Sequence, residues 1–166
     1  MRRYAAGVPT LVDLLRHGEA ASSHPDGDAA RPLSPRGVAS IEAFARRFAA
    51  LGSRPERVFT SPLLRARETA GLMCAALGGG LHPEILTELI PDAEPSDVVS
   101  AIAVEAPDAT HLLLVGHQPL LGDLAGHLCD GTSRSLHPGQ LMRLEFGDRP
   151  ARRAGRVLRI DTRAGC

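Results

Sequence analysis

Apolar positions recur along the chain with two different periods, and each period predicts one type of secondary structure. A short apolar run such as HLLLVG at 111–116 predicts a buried strand, whereas apolar residues three or four positions apart predict one face of a helix. The helical spacing over 35–51 comprises Val38, Ile41, Phe44, Phe48 and Leu51. Strands are predicted at 10–16, 57–60, 84–89, 111–116, 141–146 and 156–161, and helices at 35–51, 62–77, 95–105 and 118–129. We therefore expect an α/β fold, a three-layer α/β/α sandwich with a mostly parallel central sheet.

The helix ends carry their own signals. Ser34 and Ser61 are each followed by a proline, Pro35 and Pro62, and this pairing predicts an N-cap and a first helical residue. Three consecutive glycines at 78–80 predict the end of the second helix. The first two helices are thus predicted with both of their ends.

Length and composition indicate the class of protein. The chain has 166 residues, of which 43% are hydrophobic, so we expect one domain over 1–166 with 1–9 as a loosely ordered tail. All 19 basic side chains are arginine, which excludes a phosphate loop of the GK[ST] type and catalysis through a lysine Schiff base. A net charge of 0 and only five aromatic residues argue against a nucleic-acid partner.

Cysteine usage and hydropathy predict where the protein works. Cys74, Cys129 and Cys166 are far apart and form no CxxC pair, which is typical of a reduced intracellular protein. The N-terminal stretch has no small-residue cleavage site, and no run approaches the 18 apolar residues of a membrane span. We expect a soluble cytoplasmic protein with no membrane partner.

Polar side chains with related chemistry follow the predicted strands. Arg16 and His17 follow the first strand, Arg65 lies just after the second, and His117 follows the fourth. Glu88 belongs to the third predicted strand. Because ligands of open α/β sheets bind beyond the carboxyl ends of the strands, we expect these groups to converge at one edge of the sheet.

The residue types at this edge suit phosphoryl transfer. Arginine binds phosphate oxygens with a planar fork of donors, and a neutral imidazole, favoured by nearby arginines, is a nucleophile near pH 7. Gly18 lets the chain leave strand geometry so that Arg16 and His17 can share a pocket. Arg65 and Arg67 lie about 200° apart on a helix, and we choose Arg65 because it is closer to the helix start.

Four segments in order resemble one known family. The segments LLRHGEA at 14–20, RPLSPRG at 31–37, TSPLLRA at 60–66 and VGHQP at 115–119 resemble the histidine phosphatase superfamily, the phosphoglycerate-mutase-like enzymes. The resemblance covers residues 10 to 129. Within the superfamily, the short length and the LTEL-IP stretch are most similar to the small bacterial phosphohistidine phosphatases, which lack a large helical insertion.

The resemblance implies a role for each residue of the site. It implies that His17 is the nucleophile and that Arg16, Arg65 and His117 complete the phosphate pocket, with no metal or other cofactor. We add Gly18 and Ser61 as phosphate neighbours, although Ser61 is explained equally by its capping role. Glu88 falls near the general acid of larger members, but a solvated carboxylate or a partner for a pocket arginine is as good an interpretation.

The predicted function is that of a metal-independent phosphatase. The preferred substrate is phosphohistidine on a signalling or phosphotransfer protein, because an imidazole leaving group with a pKa near 6.5 needs little protonation. The alternatives are a phosphatase of small phosphomonoesters, such as sugar or sugar-acid phosphates, and a non-catalytic phosphoprotein-binding module. In each case the pocket is expected to hold a phosphate- or sulfate-like anion.

Other candidate groups fit no site. Arg31 and Arg36 flank a loop that could reach the pocket, but a solvated arginine is the commoner outcome and is what we expect. The remaining histidines show no shared spacing, and the separations of His111, His117 and His127 match no zinc pattern. We therefore expect no metal site.

Overall fold

The computed structural model describes residues 9–161, which form one six-stranded sheet with helices packed on both faces. The strands are β1 (Thr10–Arg16), β2 (Arg57–Thr60), β3 (Pro83–Ile85), β4 (His111–Gly116), β5 (Leu141–Phe146) and β6 (Gly155–Asp161). The α-helices are α1 (Pro35–Ala50), α2 (Leu64–Leu77), α3 (Pro95–Glu105) and α4 (Leu120–Leu128). The predicted three-layer α/β architecture is confirmed.

The sheet is mixed, with its parallel part in the centre. The strand order is β3-β2-β4-β1-β5-β6, in which β3, β2, β4 and β1 run parallel and β5 and β6 are added antiparallel. Helical crossovers make the parallel pairs possible, whereas β5 and β6 are joined directly as a hairpin. Every residue of β4 is buried, as expected for a central strand covered on both faces.

Two hydrophobic cores separate the layers. Helices α1 and α2 cover one face, where Phe48 and Met73 are buried against the sheet. Helices α3 and α4 cover the other face, where Leu89 and Leu124 are completely buried. The buried apolar face of α1 is shorter than its spacing predicts, because Leu51 lies beyond the last turn of the helix and is 53% exposed.

Helix α1 begins at the predicted residue, Pro35, and ends at Ala50, one residue earlier than predicted. The Ser34 hydroxyl accepts a hydrogen bond from the Gly37 amide at 3.0 Å, and Pro35 is the first helical residue. Beyond the helix, Gly52 has a φ of 74°, a conformation that favours glycine. The cap at Ser34 and the stop at Gly52 are therefore confirmed.

Helix α2 begins later than predicted, and the N-cap assigned to Ser61 is wrong. The helix starts at Leu64, its N-cap is Leu63, and no side chain caps it. The Ser61 hydroxyl is engaged elsewhere, because it lies 2.8 Å from Nε2 of His117. The helix ends at Gly78, so the predicted stop is confirmed.

The third predicted strand is also shorter than expected. Strand β3 ends at Ile85, and Thr87–Leu89 form a 3-10 turn rather than a continuation of the strand. Leu86 and Leu89 are both buried in the core under α3 and α4. A strand would point residues three apart to opposite faces, whereas a helical turn brings them to the same face.

Several smaller expectations have different outcomes. Helix α4 spans Leu120–Leu128 and is slightly shorter than the predicted 118–129. Cys74 and Cys129 are buried free thiols. The predicted tail falls almost entirely outside the described residues, since only residue 9 of it is described. Cys166 also lies outside them. Within the described part of the chain, no helix combines the length and the apolar character needed to cross a bilayer.

Candidate active site

Neighbouring parallel strands bring the predicted residues to one edge of the sheet. Strands β1 and β4 are paired so that Arg16 lies opposite Gly116, and the His17 amide donates to the Gly116 carbonyl at 3.0 Å. His17 and His117 therefore leave the sheet side by side, and their ring centroids are 5.0 Å apart. This placement follows from the parallel pairing of two strands that are far apart in the sequence.

A cavity of about 340 Å³ lies at this edge. Four predicted catalytic residues, Arg16, His17, Arg65 and His117, belong to its lining. The complete lining comprises Arg16, His17, Gly18, Glu19, Ala20, Arg31, Arg65, Pro91, His117, Gln118 and Pro138. Three guanidinium groups and two imidazoles thus face a space large enough for a phosphoryl group.

The two ring nitrogens of His17 have different hydrogen-bond partners. Nδ1 lies 2.7 Å from the carbonyl oxygen of Gly18, and because a carbonyl only accepts, Nδ1 carries the proton. The Arg65 Nε–H donates to Nε2 at 3.3 Å, which agrees with a lone pair on Nε2. Burial, aided by the charges of Arg65, Arg16 and Arg31, lowers the pKa of His17 to about 4. His17 is therefore neutral at pH 7, and its Nε2 lone pair accepts the long hydrogen bond from Arg65.

An exposed carboxylate holds Arg65 in place. Arg65 is 4% exposed and donates to the Asp28 carbonyl oxygen at 2.8 Å and to the Asp28 carboxylate at 3.0 Å. Arg31 binds the other oxygen of the same carboxylate at 2.8 Å. Desolvation raises the pKa of Asp28, but the hydrogen bonds from Arg65 and Arg31 outweigh it and the pKa is lowered. Asp28 therefore stays ionised and bridges two arginines of the cavity.

Gly18 packs the nucleophile loop tightly between two helices. Its amide donates to the Thr69 hydroxyl at 3.1 Å, and that hydroxyl donates to the Arg65 carbonyl at 2.7 Å. A Cβ atom at Gly18 would lie 2.7 Å from Cγ1 of Ile41 on α1. The amide predicted to be a phosphate neighbour is thus directed toward α2, and the glycine permits the close approach of α1.

Two buried nitrogens at the cavity have no hydrogen-bond partner. Among the side chains of residues 9–161, only Nε of Arg16 and Nδ1 of His117 are buried without a partner. Arg16 is anchored by a different nitrogen, which donates to the Leu136 carbonyl at 2.7 Å. Burial, followed by the electrostatic interactions with His17 and Arg65, lowers the pKa of His117 to about 3. Buried polar groups are normally satisfied, so this pair indicates a ligand-binding position.

Comparison with known proteins adds an independent line of argument. A model of the histidine phosphatase superfamily (branch 1) matches residues 12–90. An uncharacterised protein of Picosynechococcus is 40% identical over 122 residues, which cover 70% of this chain and 72% of the relative. Phosphohistidine phosphatase SixA of Escherichia coli is 31% identical over 121 residues, or 72% of this chain and 74% of the relative. The chain belongs to the histidine phosphatase superfamily.

The fold agrees with this membership of the histidine phosphatase superfamily. A structure of the protein histidine phosphatase SixA complexed with tungstate superposes with a TM-score of 0.82 and 26% identity. The superposition covers 92% of this chain and 97% of the other. The resemblance read from the four sequence segments is therefore confirmed.

Two residues predicted for this histidine phosphatase site lie away from the cavity lining. Glu88 lines a separate cavity of about 620 Å³ that also contacts Asp97, and its carboxylate accepts from the Thr87 hydroxyl at 3.2 Å. Its acid role stays a prediction without support from this placement. Ser61 reaches the site only through His117, to which it is hydrogen-bonded.

Residues that the sequence did not assign complete the superfamily site. Arg31, expected to be solvated, lines the cavity, whereas Arg36 is 81% exposed and approaches only Glu19, at 3.8 Å. The sequence analysis did not predict Asp28 or Thr69 as site residues. The one feature of the sequence that could have indicated Asp28 is its separation of three positions from Arg31, with which it forms an ion pair.

No metal-binding group is evident in this member of the superfamily within residues 9–161, where no three His, Cys, Asp or Glu side chains come together as ligands. His111, one candidate from the sequence, instead lies 2.7 Å from Asp13. Arg143 binds the same carboxylate with two hydrogen bonds of 2.7 Å. This buried cluster lies within the sheet and is separate from the cavity lining.

Proposed function

We propose that the protein is a phosphatase that hydrolyses phosphohistidine on a partner protein through a covalent phosphohistidine at His17. The observation that carries the proposal is the pair of buried nitrogens without partners, on Arg16 and His117, at the cavity that His17 also lines. A phosphoryl group placed there would accept the Arg16 Nε–H while its phosphorus faced the lone pair of His17 Nε2. Fixed cationic donors around a transferring phosphoryl group supply most of the catalysis in such reactions.

The proposed reaction has two steps, both at Nε2 of His17. In the first, the Nε2 lone pair forms a bond to phosphorus as the P–N bond to the substrate ring breaks, and because that ring carries a proton on its other nitrogen it leaves as neutral imidazole. In the second, water attacks phosphorus, the P–Nε2 bond breaks, and phosphate leaves with one proton released to solvent. The Nδ1–H···O=C bond to Gly18 keeps the ring in the same tautomer before and after the cycle.

The carboxylates near the cavity support phosphohistidine as the substrate class. Glu19 is tied to the Ser34 hydroxyl at 2.8 Å, and Asp28 is held ionised by two arginines. Glu88 lies on the other cavity. An alkoxide leaving group needs a proton donor, whereas an imidazole with a pKa near 6.5 leaves with little help. The names of the related SixA proteins point to the same substrate class.

The test is transfer of labelled phosphoryl groups from a phosphohistidine protein. We expect the wild type to form an acid-labile, base-stable phosphoenzyme and His17→Ala to form none. The control is His137→Ala, which removes an exposed imidazole outside the cavity lining and should label normally. Full labelling of His17→Ala would refute the proposal.

Substrate choice needs a second measurement. We expect kcat/KM for a phosphohistidine protein to exceed that for phosphoserine and for p-nitrophenyl phosphate. The opposite order would favour a phosphatase of small phosphomonoesters. Phosphate binding without hydrolysis of any of these compounds would indicate a non-catalytic phosphoprotein-binding module.

A further inference from the structure

The Ser61 hydroxyl has two neighbours, and they determine where its hydrogen points. Ser61 is completely buried at the end of β2. Its Oγ accepts a hydrogen bond from the Leu63 amide at 3.3 Å and lies 2.8 Å from Nε2 of His117. An amide can only donate, so the hydroxyl hydrogen is directed at His117 if it is to have a partner.

The alternative arrangement leaves a buried donor unsatisfied. If His117 carried its proton on Nε2, Oγ of Ser61 would accept from both Leu63 and His117, and its own hydrogen would have no acceptor among the described residues. Leaving a buried donor unsatisfied is unfavourable because the group has lost its hydrogen bonds to water. When the hydroxyl donates to Nε2, only the Nδ1–H of His117 is left unpaired, whereas the alternative leaves both the hydroxyl hydrogen and the Nδ1 lone pair unpaired. Donation to Nε2 places the single proton of the neutral ring on Nδ1.

The consequence falls on the other ring nitrogen of His117, a residue that lines the cavity. Nδ1 of His117 is buried and has no partner within residues 9–161, and the whole residue is only 2% exposed. We propose that Ser61 is a positioning residue that fixes His117 as the Nδ1–H tautomer, so that a neutral His117 donates a hydrogen bond to the phosphoryl group. The role in turnover rests on the proposed function, whereas the tautomer does not.

This assignment changes the role expected of the second histidine. A protonated His117 would donate from both nitrogens without help, but burial beside Arg65 opposes its protonation. A neutral ring donates from one nitrogen only, and without Ser61 it is free to present a lone pair to the phosphoryl oxygens. The Nδ1–H tautomer would therefore donate a hydrogen bond to a phosphoryl oxygen, whereas the Nε2–H tautomer would place the Nδ1 lone pair against it.

The direct test is the protonation state of each ring nitrogen, measured by ¹⁵N NMR on the full chain at pH 7. The His117 signals are identified by their loss in His117→Asn. We expect the wild type to carry the proton on Nδ1, and the Nδ1–H signal to shift when inorganic phosphate is added. A proton on Nε2 in the wild type would overturn the proposal, even if no variant of Ser61 folds.

Variants of Ser61 test the link to turnover. We expect Ser61→Ala to lose the fixed tautomer and to lower kcat by about 10- to 100-fold, the range found when the partner that orients a metal-bound histidine is removed. Ser61→Thr keeps the hydroxyl and should restore the tautomer. The matched control is Thr60→Val, which removes the neighbouring buried hydroxyl that donates to the Ser61 carbonyl rather than to His117.

The outcomes separate this proposal from the proposed function. Wild-type kcat in Ser61→Ala would overturn the positioning role, and an altered tautomer in Thr60→Val would overturn its assignment to Ser61. If Nδ1 carries the proton but no phosphorylated compound is hydrolysed, the proposed function fails and the tautomer assignment stands.

Discussion

The neutral buried state of His17 predicts that the protein loses stability as the pH falls below neutrality. The pKa of His17 is lowered from 6.5 to about 4 in the folded protein, first by burial and then by the charges of Arg65, Arg16 and Arg31. Between these two pH values the unfolded chain binds more protons than the folded one. The contribution of His17 is therefore complete above pH 6.5 and is lost as the pH falls toward 4.

The size of the effect follows from the two pKa values. At pH 5 an imidazole with a pKa of 6.5 is almost fully protonated, whereas one with a pKa of about 4 is almost fully neutral. Linkage then gives a loss of about 2 kcal/mol of unfolding free energy between pH 7 and pH 5 from His17 alone. His17 is 9% exposed, so solvent screens this effect little.

The assay is urea unfolding followed by circular dichroism at pH 7 and pH 5, in buffers without phosphate. We expect His17→Asn to lose about 2 kcal/mol less than the wild type between these pH values. His137→Asn removes an exposed imidazole and should behave like the wild type. Equal pH dependence in the wild type and His17→Asn would refute the neutral, buried state of His17.

Three further variants test packing and charge around the site. Gly18→Ala should lower the unfolding free energy by about 1–3 kcal/mol, because its Cβ would lie 2.7 Å from Cγ1 of Ile41; thermal melts measure this. Asp13→Ala should cost about 3–5 kcal/mol in urea unfolding, since it leaves the nearly buried Arg143 without its carboxylate partner. Asp28→Ala should lower kcat about tenfold, because Arg65 loses the group that orients it.

Each of these variants has a matched control. Gly71→Ala introduces a Cβ with no atom within 4 Å and should not destabilise the protein. Asp130→Ala removes an ion pair at the surface and should cost much less than Asp13→Ala. Asp26→Ala changes an exposed neighbour of Asp28 and should keep wild-type kcat. A control that changes as much as its test variant would contradict the corresponding mechanism.

The sequence by itself determined the layers of the fold and the main residues of the cavity. Local periodicity is sufficient to place α1 and β4, because Ile41, Phe44 and Phe48 of α1 and every residue of β4 are buried as their spacing predicts. Strand ends in an open α/β sheet lie at a common edge, so Arg16, His17 and His117 could be grouped without coordinates.

Only the tertiary structure decided the hydrogen bonds that link distant segments. Ser61 has the sequence context of an N-cap, yet its hydroxyl bonds His117, which is 56 positions away. Asp28 joins Arg65 across 37 positions, and Asp13 joins Arg143 across 130. The hydrogen-bond partner of a polar side chain depends on which groups lie close to it and how buried they are in the folded chain. Neither property can be derived from the spacing of residues along a short segment. The sequence therefore identifies the polar groups at this edge of the sheet, and the packing of the layers decides which atoms of each group are hydrogen-bonded.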